Sequence, residues 1–250
     1  MGLTIHYTLK QEAQETSARP VLEQLRQTAL DLPFAEVGEI VEFKGDQCDY
    51  QKREQGDPAR WLLIQAGGSV SLGGHSSLSV APTHLIAFST WPGEGCEEAN
   101  FGLCRYPATT VHQGKRIQTK LSGWSWRSFC KTQYASDPGC GGVENFIRCH
   151  LLVVAMLDQA KELGVLERVS DEGGFWEQRK VKALAEEVGS WNGMIAAFAG
   201  KLKDVLGDDG VKSPITQFKN FEQLEQAGQS ELPPQADQLV RLIKRVTKQG

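Results

Sequence analysis

Between Lys131 and His150 the chain brings a lysine, a glycine-rich turn and a histidine close together in sequence, a combination with a recognisable chemical use. The run Asp137-Pro138-Gly139-Cys140-Gly141-Gly142 separates a strand pattern that ends at Tyr134 from a helix pattern that starts at Val143. Backbone N–H groups at such a helix start lack intrahelical partners and attract an anion, and Lys131 would add charge. In this reading Tyr134, Gly141 and Gly142 line a carboxylate or phosphate, while His150 is a general base with Glu144 in reach. In the plainer reading the glycines only permit a tight turn, and His150, beside Phe146 and Val153 on an apolar helix face, is a core residue bonded to a backbone carbonyl.

Five of the six cysteines (Cys96, Cys104, Cys130, Cys140 and Cys149) fall between Trp91 and His150, together with Trp91, Trp124 and Trp126. Cys130 and Cys140 are the nearest nucleophile candidates in sequence, because Cys149 points about 100° away from His150 around the helix. Cys130, Cys140, Cys149 and His150 have the ligand types for zinc but lack the close pairs that zinc sites use, so no metal and no cofactor is expected. Glu94, Glu97 and Glu98 in the loop 91–100 read as an exposed acidic turn, and Asp171 and Glu172 as helix-start acids favoured by the helix dipole. Phe175 and Trp176 read as packing anchors. Trp124 and Trp126 are candidate ligand contacts, since aromatic residues in loops often carry binding.

The elements that must position these groups follow from periodicity. Leu3, Ile5, Tyr7 and Leu9 alternate with Thr4, His6, Thr8 and Lys10, which predicts a strand with one buried face. Ser17 can cap a helix carrying the stripe Val21, Leu22, Leu25, Ala29 and Leu32, which Pro33 ends. A second strand is expected around Val37 to Phe43, a short one over Trp61 to Ile64, and others over 84–91, 101–106 and 124–134. The stretch 67–77 reads as a Gly/Ser loop. From Val143 the period becomes helical, with Gly164 as a C-cap. A long helix follows over 181–202, bent or broken near Gly189 and Gly193, then a polar coil over 207–235 and a terminal amphipathic helix from Ala236 that docks on the body. The fold class is therefore α+β: a single domain over 1–250, strand-rich over 1–136 and helical over 143–250, with a largely antiparallel sheet of five or six strands.

Composition narrows the function. The 27 basic and 31 acidic residues give a formal net charge of -4 and are spread along the chain, so no basic field points to a nucleic-acid partner. No apolar run approaches the roughly 20 residues that span a membrane, and no secretory leader opens the sequence, so a cytoplasmic location with reduced thiols is expected. Phosphate-loop, dinucleotide, nucleophile-elbow and zinc-protease motifs are absent. Two functions stay open: a non-catalytic binding or interaction protein whose partner is a small molecule or another protein, and a hydrolase- or transferase-type enzyme using the 131–150 turn.

Overall fold

The alternation at the start of the chain makes a strand, β1 (Thr4–Gln11), in which Leu3, Ile5, Tyr7 and Leu9 are sealed from solvent and His6 and Lys10 are exposed. The computed structural model describes residues 3–12, 18–73, 76–207, 210–233 and 235–247; Ser17, Gly74, His75 and Lys248 lie outside them. β1 belongs to a six-stranded antiparallel sheet. It pairs on one side with β11 (Trp124–Lys131) and on the other with β12 (Leu166–Asp171); beyond β11 come β8 (Phe101–Arg105), β6 (His84–Phe88) and β3 (Val41–Lys44).

Two split strand-helix-strand units build this order. In the first, α1 (Arg19–Asp31) leads from β1 to β3, and the meander of β6, β8 and β11 fills the space between those strands. In the second, α3 (Gly142–Glu162) leads from β11 to β12, which flank β1. Both helices cover the same sheet face. Leu22, Leu25 and Ala29 of α1 and Phe146, Val153 and Leu157 of α3 join Leu3, Ile5, Tyr7, Leu9, Trp124 and Trp126 in one core. α1 stops at Leu32, which takes the extended backbone required before Pro33, and α3 ends at Gly164, whose N–H bonds to the carbonyl of Lys161.

The α+β class and the strand-helix-strand entry agree with the sequence, and several local expectations change, the strand over 124–134 ending already at Lys131. Trp61 to Ile64 is helical, within α2 (Pro58–Gln65): Asp57 accepts a bond from Ala59 N–H and Pro58 occupies the first turn, and these start signals prevail over a four-residue apolar run. The Gly/Ser stretch is a hairpin of β4 (Gly68–Gly73) and β5 (Ser76–Val80), because Val70 and Val80 give it a buried face. The strand over 84–91 is two ladders: β6, and β7 (Thr90–Trp91) pairing with β2 (Glu36–Val37). The helical half contributes β12 to the sheet, and its short α4 (Phe175–Gln178) precedes α5. The strands β9 (Thr109–His112) and β10 (Lys115–Gln118) form a further hairpin.

α5 (Val181–Leu206) runs unbroken through Gly189 and Gly193, and the polar stretch after it contains α6 (Phe221–Gly228). These two facts share a cause. A Cβ on Gly228 would overlap the carbonyl of Gly193, so two glycines face each other where the helices touch backbone to backbone. α7 (Gln235–Thr247) then docks on α5, with Lys201 donating to Asp237. Among the described residues, no helix is long and apolar enough to cross a membrane.

Substituting Gly228→Val should lift α6 from α5 and destabilise the chain by about 1–3 kcal/mol, the usual range for overpacking. Hydrogen exchange checks it: amides of 221–228 should lose protection while those of β1 and β11 keep theirs, and unchanged protection in α6 would refute the close approach.

Candidate functional site

The residues singled out by sequence do not form one site: His150, Trp124 and Trp126 are buried, while Lys131, Tyr134, Gly141, Gly142 and Glu144 are partly or fully exposed. His150 is 0% exposed, with Phe146 and Phe175 rings beside it. Its Nδ1 lies 3.0 Å from Thr132 Oγ1 and its Nε2 3.2 Å from Asp171 Oδ2. Asp171 also accepts bonds from the N–H groups of Gly173 and Trp176, both at 2.8 Å. Burial works to raise this carboxyl's pKa, but the His150 ring and the two N–H donors outweigh it and hold the pKa below its ordinary value. Hydroxyl, imidazole and carboxylate thus stand in the order of a nucleophile-base-orienter chain. All three side chains are buried.

The glycine-rich turn is satisfied by itself. Gly139 N–H bonds to Asp137 Oδ1, and the N–H groups of Cys140 and Gly142 bond to the Asp137 carbonyl. Gly141 and Gly142 have φ of 106° and 70°, which accounts for glycine at both. Lys131 turns to Tyr134, donating to its hydroxyl at 3.1 Å with the ammonium 4.3 Å from the ring centre, and Glu144 is exposed on the first turn of α3. Trp124 and Trp126 lie under the sheet: the Arg105 guanidinium stacks 4.9 Å from Trp124, and Trp126 Nε1 donates to the Asn100 carbonyl.

The cysteines partly converge. The neighbouring Cys96 thiol and the Arg148 guanidinium lower the Cys149 pKa against burial, while Cys149 and burial push the Cys96 thiol up. Arg148 Nη2 is 3.3 Å from Cys149 Sγ. Cys130 donates to the Glu97 carbonyl and is pushed up by burial. Among the described residues, no group of three or more His, Cys, Asp or Glu is arranged to hold a metal ion.

The open chemistry lies on the other face of the sheet. There α2, with Leu62, Leu63 and Ala66, covers the β6 end, and the β12-β1-β11 end is bare. Strand register arranges this bare surface in rows. Phe129, His6 and Ser170 are paired across the three strands, and Arg127, Thr8 and Arg168 form the next row. A cleft of about 800 Å³ lies over both rows, walled by Gln65 and Gly67. It continues into a cavity of about 240 Å³ bordered by Lys120 and Tyr106, and into one of about 450 Å³ bordered by Trp61, Glu97 and Glu98. Of the residues weighed from sequence, Trp126 borders the smaller cavity and Glu97 and Glu98 the one beside Trp61.

Three cations here, Lys120, Arg127 and Arg168, are exposed and have no ion pair or hydrogen bond among the described residues, whereas Lys10 is paired with Glu167 at 3.0 Å. Gln65 Oε1 accepts from buried Asn100, which leaves the Gln65 amide N–H groups to the cleft. Gly68 fixes the wall: a Cβ there would lie 2.7 Å from the Tyr106 ring, and the Tyr106 hydroxyl bonds to the Ala66 carbonyl. The sequence signal for these residues was the outward half of the β11 alternation, Ser125-Arg127-Phe129, set against the buried Trp124, Trp126, Ser128 and Cys130.

Replacing Asp171 by Ala should cost about 3–5 kcal/mol at neutral pH, because His150 loses its buried partner. Since the folded-state pKa of Asp171 is depressed, its contribution is full above the unfolded value near 4 and disappears as pH falls through the lower folded value. Urea denaturation should therefore show the gap between wild type and D171A narrowing below about pH 4; a gap independent of pH down to 2 would contradict the assignment. No protein-family model, curated protein or solved structure matches the chain, so the reading of the cleft rests on its own chemistry.

Proposed function

We propose that the protein is a cytoplasmic, non-catalytic binding protein that takes a small anionic molecule in the cleft on the bare face of the sheet. The observation that carries this reading is the pair Arg127 and Arg168, two cations without ion pairs among the described residues, lining the 800 Å³ cleft, with Arg127 shared by the adjoining cavity that Lys120 borders. Surface cations commonly have water or a carboxylate nearby; here two line a walled cleft beside amide and hydroxyl donors from Gln65, Thr8 and Ser170, which suits a multiply charged oxyanion. The arrangement that could activate a nucleophile, Thr132-His150-Asp171, lies on the opposite side of the sheet without solvent access, which favours binding over the hydrolase or transferase reading. All six cysteines are free thiols, the state a reducing compartment maintains.

Titration calorimetry with inorganic pyrophosphate tests this. Wild-type protein should bind with an affinity that falls as salt rises, and Arg127→Ala and Arg168→Ala should each weaken it about 10- to 100-fold, as loss of a charge-assisted bond does. Both variants should keep the wild-type melting temperature, being exposed. Absence of pyrophosphate binding to wild type at millimolar concentration, or equal binding by both variants, would overturn the reading.

A further inference from the structure

We infer that the anion is part of a free mononucleotide, whose base lies on Phe129 while its phosphate meets Arg127 and Arg168. This rests on the anion-binding reading above and adds what the other row of the surface does. Phe129 is 39% exposed in the middle of a sheet face, and the His6 ring sits 5.8 Å from it at 41°. Trp61, 47% exposed, stands on the opposite wall, so that Phe129 borders both the large cavity and the one beside Trp61. An exposed ring on a sheet surface next to cations is the arrangement on which proteins stack nucleobases, since every base presents a π face.

The spacing fits one nucleotide. Phe129 and Arg127 are two residues apart on the same face of β11, about 7 Å along the strand, which a ribose between base and phosphate spans. Arg127 and Arg168 flank Thr8 from the two neighbouring strands, roughly 10 Å apart at the backbone, so their long side chains can close on a phosphate between them. Gln65, with its N–H groups free, borders the cavities on both sides of Phe129 and can donate to a base edge. Glu97 and Glu98 border the cavity next to Trp61; they would repel a continuing phosphate backbone, which favours a free nucleotide over a strand.

Calorimetry with adenosine monophosphate, pyrophosphate and a ten-residue adenosine RNA strand separates the outcomes. AMP should bind, Phe129→Leu should weaken it roughly 5- to 100-fold while leaving pyrophosphate within about twofold, and Phe129→Tyr should restore it. If pyrophosphate binds but AMP does not, or if F129L leaves AMP affinity unchanged, the nucleotide assignment falls while the anion site stands. If neither binds, both fall. A strand affinity more than about a hundredfold above that of AMP would overturn the free nucleotide in favour of single-stranded nucleic acid, because one site on a ten-residue strand gains only about tenfold by statistics.

Discussion

The structure depends on the pleat of β1. Because successive side chains of a strand point to opposite faces, one short segment supplies Leu3, Ile5, Tyr7 and Leu9 to the core and His6, Thr8 and Lys10 to the bare face. Pairing with β11 and β12 on its two sides carries that alternation outward, so Trp126 and Cys130 lie beneath the sheet and Arg127 and Phe129 above it. A slip of one residue would exchange the two sets, burying cations and exposing tryptophan. The apolar face under α1 and α3 therefore fixes the geometry of the cleft on the opposite face.

The ends of the same three strands are tied by polar groups in the interior. Thr132 follows β11, His150 lies on α3 and Asp171 ends β12, so their hydrogen-bonded chain joins both strands to the helix between them. Beside it, Gln133 accepts from Leu3 N–H and donates to Asn192 of α5, which donates to Ser136. Buried polar groups are costly unless satisfied, and here the bonds specify how the sheet, α3 and α5 meet. The resemblance of Thr132-His150-Asp171 to a catalytic relay is one of order and distance; solvent access differs.

The two sides of the sheet thus divide the work. One holds nearly all the large apolar side chains and a self-satisfied polar latch. The other holds Arg127 and Arg168 in one row across Thr8 with no ion pair of either among the described residues, a pairing of like charges that adds nothing to the stability of the sheet.

From residues alone, the chain determined its α+β class, the strand β1, the helices α1 and α3 with their ends at Leu32 and Gly164, and the start of α5, because these depend on local periodicity, proline and capping, whereas its unbroken passage through Gly189 and Gly193 was not legible. β12 and α6 were not legible: β12 has a weak alternation stabilised by its place beside β1, and α6 lies in a polar stretch held by the meeting of Gly193 and Gly228. The same division holds for the site. Sequence could mark His150, Lys131, Trp124 and Trp126 as chemically capable, but tertiary packing, which depends on residues far apart in the chain, turned His150 and both tryptophans inward and gave Lys131 a partner in Tyr134. Arg127, Phe129 and Arg168 look like ordinary strand positions until β1 brings β11 and β12 to its two sides, and only that tertiary pairing makes them neighbours.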